Sequence, residues 1–189
     1  MQVIAFTGAG ISKESGIDTF QDRPGIRDKL TRTFAKTHPE EYRKVMREFC
    51  DIIKGKEPND AHKDLARAGV QVITMNVDGL HEKAGSKNVI AVHGRLPEEH
   101  ELDYCEKLVG APVLYEDEAP KYQDAFDILY TLSKGDYLLV IGASTYTGVS
   151  VTVRQIAELC GATIIEIQEK AATEVGRVLD QIYGDALNG

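Results

Sequence analysis

Basic residues are the scarce side of this chain: 22 Lys and Arg stand against 30 Asp and Glu, a formal net charge of −8. A nucleic-acid backbone draws its affinity from Lys and Arg neutralising phosphates, so this balance, with no basic block to offset it, argues against nucleic acid as a partner. Cysteine is scarce too. Cys50, Cys105 and Cys160 are odd in number and far apart, which excludes a disulfide scaffold and suits a reducing compartment, so the expected location is the cytoplasm. No apolar run approaches membrane-spanning length, and the sequence starts directly on a strand-like stretch, "MQVIAF", with no room for a signal peptide. A soluble protein away from membranes is expected. Internal repeats and low-complexity tracts are absent as well. The 189 residues therefore suit one domain spanning 1–189, long enough to bury a substantial core.

What is present is a set of short, continuous Val- and Ile-rich runs: "QVIAF", "VQVIT", "NVIAV", "YLLVI" and "ATIIEI". Runs that do not alternate with polar residues read as strands buried on both faces, which is the pattern of a parallel sheet. A weaker sixth candidate is "PVLY". Helical patterns lie between them. Residues 37–54 begin with a capping-box sequence, "THPE", carry apolar residues at Tyr42, Val45, Met46, Phe49, Ile52 and Ile53, and stop at Gly55. Asn59 is placed to cap "DAHKDLARA", and helices are expected over 122–133 and 151–160, each followed by a glycine. Strands alternating with helices predict an α/β fold with a doubly wound, Rossmann-type parallel sheet. Residues 18–60 exceed what a crossover needs, so a flexible loop and a reduced small helical subdomain are expected there.

In an open parallel sheet, ligands collect beyond the carboxyl ends of the strands. Just past each apolar run stand Thr7-Gly8-Ala9-Gly10, then Asn76 and Asp78, then His93-Gly94, then Gly142-Ala143-Ser144, then Gln168. Turns alone favour such residues, although five polar strand ends in a row ask for more than turn chemistry. The first, "TGAGISKESG", is a glycine-rich turn into a helix, where close backbone approach and free amides suit a pyrophosphate. It departs from G-x-G-x-x-G, since the third glycine is Gly16, and it lacks the Gly-Lys-Ser/Thr ending of a P-loop. A metal site on Asp78, His81 and His93 is disfavoured, because no H-x-x-x-H or comparable spacing is present. Asp78 can also be read as a cap for the helix "GLHEKA", with His81 structural in its first turn. His93 follows a buried strand and precedes a glycine, where its imidazole can face the crevice as a general base.

Together these motifs resemble the sirtuins, the NAD-dependent protein deacylases. "GAGISKESGIDTF" resembles their phosphate-binding and cofactor-loop signature, "TMNVDGLHEKAG" their T-Q-N-I/V-D-x-L-H segment, and "VHG" their histidine motif. "EPNDAHKDLA" lies between the first two of these, and "DYLLVIGAS", "IIEIQ" and "YGDAL" follow the third, each similar to a family segment, so the resemblance covers nearly the whole chain. It implies NAD as cofactor and an acyl-lysine peptide or protein as substrate. Gly8, Ala9, Gly10 and Ser12 would surround the diphosphate, Phe20 would cover the nicotinamide end, and Asp78 would hold the carboxamide. Asn76 would position the ribose and His93 would be the base that deprotonates a ribose hydroxyl. Gly142, Ser144 and Gln168 would lie on the adenosine side.

Several departures are visible. The family's two C-x-x-C pairs after the histidine motif are missing, with only Cys105 between His93 and the next strand, so a form without zinc is expected. The peptide-pairing segment F-G-E-x-x-P reads "YEDEAP", with Glu116 in place of glycine. The cofactor loop reads "DTFQ", and Met75, Ala143 and Gln168 replace the usual Gln, Thr and Asn. The Tyr-x-x-Arg pair that reads acidic acyl groups in one branch falls near Cys50 and Ile53, so succinyl specificity is not expected. Two alternatives keep part of the pattern. An NAD glycohydrolase or ADP-ribosyltransferase would use the same trio with another acceptor, and a non-catalytic nucleotide-binding module would keep only the glycine turn.

Overall fold

The structure, a computed structural model, describes residues 1–18 and 25–188, with side chains to residue 184. Five parallel strands, β1 (Val3–Thr7), β2 (Gln71–Thr74), β3 (Val89–Ala91), β4 (Tyr137–Ile141) and β5 (Thr163–Ile167), form one sheet in the order β3-β2-β1-β4-β5. All five apolar runs read from the sequence are thus strands. "PVLY" is not: Tyr115 makes only an isolated parallel bridge to Thr31, outside the sheet. The chain starts in the centre, builds outward through β2 and β3, and then crosses to β4 on the other side of β1. Strand order therefore reverses between β1 and β4, where the ends of two neighbouring strands lead their loops apart and open a crevice.

Eight α-helices complete the described fold: α1 (Ile26–Lys29), α2 (Arg32–Thr37), α3 (Pro39–Ile53), α4 (Asp60–Arg67), α5 (Leu80–Lys83), α6 (Lys121–Leu129), α7 (Gly148–Leu159) and α8 (Ala171–Asn188). On one face of the sheet, Val3, Ala5, Val72 and Leu139 pack with Leu65 of α4 and Val175 and Leu179 of α8. On the other, Ile4, Phe6, Ile73 and Val140 pack with Leu129 of α6 and Val153 of α7. Alternate residues of one strand thus enter two cores, which is why the strand sequences are continuous rather than alternating. Each of the Val, Leu, Ile and Phe side chains contributes about 1.5–3 kcal/mol by burial, so the sheet is the stable platform on which the loops are displayed.

Asn59 caps α4 as its sequence suggests, its side chain accepting from the Ala61 amide, 3.0 Å. The capping box at "THPE" does not form. Thr37 instead ends α2, its hydroxyl donating back to Thr33 O at 2.9 Å, and His38 takes the N-cap position of α3 ahead of Pro39. Along α3, Tyr42, Val45, Met46 and Phe49 form one buried stripe that meets Ala35 of α2, Cys105 and Leu114 in a third cluster, separate from the two sheet cores.

Candidate functional site

At the reversal point the turn after β1 and the turn after β4 touch through bare backbone. A Cβ added at Gly8 would lie 2.7 Å from Gly142 O, and one at Gly10 would lie 2.5 Å from Gly142 Cα. Gly142 itself has φ +57, a left-handed conformation, and its added Cβ would lie 2.4 Å from the Ile11 amide nitrogen. These glycines are required first for this contact. The expectation of free amides needs correcting in the same way. Gly8 N donates to Ile141 O at 3.0 Å and Gly10 N to Gly142 O at 2.9 Å, so neither is open to a phosphate. Ala9 and Ser12 follow on a 3-10 helix, Ala9–Ser15.

Past β2, contacts of successive side chains alternate between two sides of the chain. Asn76 and Asp78 go one way. Asn76 Nδ2 donates to Gly8 O at 3.1 Å and lies 3.3 Å from Ser12 Oγ, while Ser12 Oγ donates to Asp78 Oδ2 at 2.7 Å. The other carboxylate oxygen, Asp78 Oδ1, accepts from the Leu80 amide at 3.0 Å and caps α5. Asp78 thus caps α5 with one oxygen, as its sequence context offered, while the other accepts from Ser12 beside the glycine turn. Gly79, at φ +69, makes the bend that allows this.

Met75 and Val77 go the other way, into a cavity of about 380 Å³ shared with His93, Tyr122, Phe49, Leu96 and Tyr115. His93 lies just past β3. Its Nδ1 sits 3.0 Å from Met75 O and its Nε2 sits 2.7 Å from the Tyr122 hydroxyl. A carbonyl oxygen can only accept, so Nδ1 carries the proton and Nε2 is the basic nitrogen. Burial lowers the His93 pKa below its ordinary value, against a smaller opposing effect of the Met75 carbonyl, which keeps the ring neutral near pH 7. Val77 and Leu96 also line a second hollow of about 460 Å³ that reaches Asp78, Cys50 and Ile53. His93 and the Asn76–Ser12–Asp78 group thus flank one strip of chain, residues 75–78, from its two sides.

Behind the glycine turn lies a pair that sequence reading did not connect. His81 is 1% exposed, with Nε2 3.0 Å from Thr7 Oγ1, and its ring centroid is 4.9 Å from that of His62, which is fully buried. Burial lowers the His62 pKa to about 4 and the His81 pKa to about 3, so both are neutral. His81 is structural, as its place in a first helical turn suggested. Tyr122 was missed as a partner of His93, because nothing in a helix start at "KYQDAF" points to a residue 29 positions earlier.

On the far side of the crevice, Gln168 Nε2 donates to Ala143 O at 3.2 Å and to Glu166 Oε2 at 2.6 Å, and Ser144 Oγ accepts from the Tyr146 amide at 3.2 Å. Gly142 N donates to Ile167 O, 2.8 Å, closing the ends of β4 and β5. The structure therefore brings Gly8, Ala9, Gly10, Ser12, Asn76, Asp78, His93, Gly142, Ser144 and Gln168 to one edge of the sheet. Phe20 lies outside the described residues.

Between His93 and α6 the chain makes two short 3-10 turns, Glu99–Glu101 and Cys105–Lys107. Among the described residues no group of three or more His, Cys, Asp and Glu is arranged to hold a metal ion, and buried Cys105 has no second thiol beside it. Charge ties the segment to α2 and α3. Arg32 donates to both oxygens of Asp117, at 2.7 and 2.6 Å, and to the carbonyls of Glu106 and Leu108, at 2.8 Å each. Arg43 donates to both oxygens of Glu106. Glu116 adopts φ +78, unusual for a residue with a side chain, and its carboxylate accepts from the amide and hydroxyl of Thr33, both at 2.8 Å, which offsets the strain.

Comparison with known proteins agrees with this geometry. The solved structure of a Sir2 homologue–NAD complex superposes with a TM-score of 0.81 at 24% identity, covering 97% of this chain and 90% of that one. A mutant Sir2 homologue in complex with ADP-ribose gives 0.81 at 25% identity, covering 98% and 93%. An NAD-dependent protein deacetylase of Bacillus anthracis is 33% identical over 203 aligned positions, covering 89% of this chain and 83% of that protein. The alignment is longer than the chain, so that relative carries stretches this chain does not. An NAD-dependent protein deacylase of Thermococcus sibiricus is 32% identical, with 89% and 80% covered. The Sir2 family profile matches residues 8–107, more than half of the sequence. By these measures the chain belongs to the Sir2 family.

Proposed function

We propose that the chain is an NAD-dependent protein-lysine deacylase that cleaves the nicotinamide–ribose bond and transfers the acyl group to ADP-ribose. The observation that carries this reading is the division of labour along residues 75–78: a neutral imidazole in an apolar cavity on one side, and an amide, a hydroxyl and a carboxylate gathered beside the glycine turn on the other. That donor set fits NAD. Bound there, NAD supplies the glycosidic bond to be broken and the ribose hydroxyls that receive the acyl group. The Ser12 hydroxyl and the bare backbone of the turn at Gly8, Ala9 and Gly10 would border the diphosphate end, the two glycines through close approach rather than through their amides, which are already bonded; Asp78 would orient the carboxamide and Asn76 the ribose. Gly142, Ser144 and Gln168 border the adenosine end. His93 takes up a proton at Nε2, its protonated Nδ1 anchored on Met75 O. Apolar Phe49, Val77 and Leu96 exclude water around it.

Named relatives support the acyl-lysine substrate. The shortened region after His93 and the Glu116 substitution favour, as a second reading, an NAD glycohydrolase or ADP-ribosyltransferase that accepts water or another group. Zinc plays no part in the proposal, because a lone Cys105 cannot supply four ligands. The three free cysteines support a cytoplasmic location.

The test is incubation with NAD, with and without an acetylated peptide, following nicotinamide release and product mass. Peptide-dependent O-acyl-ADP-ribose is the expected result. Peptide-independent ADP-ribose would select the second reading, and binding without turnover would overturn both. His93→Ala should lower peptide deacylation by at least about a hundredfold.

A further inference from the structure

We infer that Tyr122 is a positioning residue, whose hydroxyl latches the basic nitrogen of His93 and is displaced when a substrate hydroxyl arrives. The inference rests on the deacylase reading of His93. With Nδ1 committed to Met75 O, the neutral ring has a single acceptor site, the in-plane lone pair of Nε2. That site lies 2.7 Å from the Tyr122 hydroxyl, which must therefore be the donor. A lone pair held in this way cannot take another proton, so the tyrosine hydroxyl has to leave before His93 can act as a base. It occupies the position, relative to Nε2, that a reacting hydroxyl would occupy.

The surroundings make this a defined latch. Tyr122 sits in the first turn of α6, its ring stacked on Phe126 at 6.2 Å and 10° and set edge-on to His93 at 6.0 Å and 77°. Ala125 and Leu129, on the same helix, are fully buried in the sheet core, so the ring has a fixed base. Two bonds from opposite sides, one from Met75 just past β2 and one from α6, fix the imidazole in rotation and tautomer. Other titratable groups around the cavity are already engaged or turned elsewhere: Asp117 is held by Arg32 and Glu116 by Thr33, and Tyr115 at the rim is 56% exposed. Among the described residues, Tyr122 is the one side chain shown hydrogen-bonded to His93. Its donor stabilises the neutral ring over the protonated one, so its removal should make His93 easier to protonate.

Tyr122→Phe removes the hydroxyl and keeps the ring contacts. In the ligand-free protein labelled with ¹⁵N-histidine, NMR should show His93 as the Nδ1–H tautomer, with its titration midpoint rising by about half to one pH unit in the variant. The acid limb of kcat/KM for peptide deacylation should move up by the same amount, a loss of about three- to tenfold on the acid side that fades above pH 8. Tyr122→Met provides the same NMR readout should the phenylalanine variant fold poorly. An unchanged midpoint and tautomer in the variant overturns the latch, even in an enzyme that deacylates normally. A shifted midpoint in a protein without NAD turnover upholds the latch and overturns the deacylase reading.

Discussion

At the carboxyl edge of the sheet, Gly8, Gly10 and Gly142 hold two chain segments together by backbone contact, and the polar groups behind them, His62 and His81, are buried and neutral. Across the cleft, Arg32 and Arg43 hold residues 105–117 to α2 and α3 through paired charges. The first region tolerates no added atom and needs no counter-ion. The second has room to adjust but loses its anchor if one charge is removed. An active site between them would have a rigid floor and a wall tied on electrostatically, and the two can be broken separately.

The largest effect is expected at the floor. Gly142→Ala places a Cβ 2.4 Å from a backbone nitrogen at φ +57, and should cost about 4 kcal/mol through the clash and the strained backbone together. Gly135 supplies the control, since its φ is +96 but nothing lies within 4 Å of an added Cβ; Gly135→Ala should cost about 1 kcal/mol. Chemical denaturation measures both. Equal losses would mean that conformation alone, and not the contact between turns, holds the floor.

The wall should yield next. Arg32→Ala leaves the Asp117 carboxylate, 8% exposed, without its partner, and should cost about 3 kcal/mol. Arg43 is more exposed, at 28%, so solvent screens its pair and Arg43→Ala should cost less than Arg32→Ala. Hydrogen exchange separates the regions: in Arg32→Ala the amides of 105–117 should lose protection while those of β1 and β4 keep theirs. Uniform loss would show that wall and floor unfold as one unit.

How much of this was legible in the sequence follows the same division. The strands and the polar residues beyond them could be read directly, because burial on both faces writes continuous Val and Ile runs, and Asn76, Asp78 and His93 stand where those runs stop. The wall could not be read in this way. Its contacts join residues 63 to 85 positions apart, as in Arg43–Glu106 and Arg32–Asp117, and long-range charge pairs leave no period in a sequence. "PVLY" shows the cost of that blindness, since its composition suits a strand but its partner is a loop residue, Thr31. The "THPE" box failed for a local reason: the Thr37 hydroxyl found a carbonyl in the helix it ends before it could cap the helix that follows.

The smallest expected effect is also the one that tells the regions apart without any mutation. His62 and His81 have folded pKa values of about 4 and about 3, lowered mainly by burial, against about 6.5 in an unfolded chain. Below pH 6.5 the unfolded chain takes up protons that the folded one refuses, so stability falls as pH drops from neutrality until the folded values are reached. The carboxylates of the wall behave differently. Hydrogen bonds from Arg32 and Arg43 lower the pKa values of Asp117 and Glu106, so their contribution is complete above the unfolded carboxylate range, about pH 4, and is lost only as pH falls further. Lowering the pH from 7 to 6 should therefore weaken the protein by about 1 kcal/mol through the floor and leave the wall's ion pairs intact. Replacing the pair by His62→Gln with His81→Gln should flatten this slope whatever it does to stability at pH 7. His93, also held neutral by burial, accounts for a residual slope that His93→Ala removes. A slope unchanged in the double variant would mean that the acid sensitivity between pH 7 and 5 does not originate behind the glycine turn, and that the floor is no more pH-dependent than the wall.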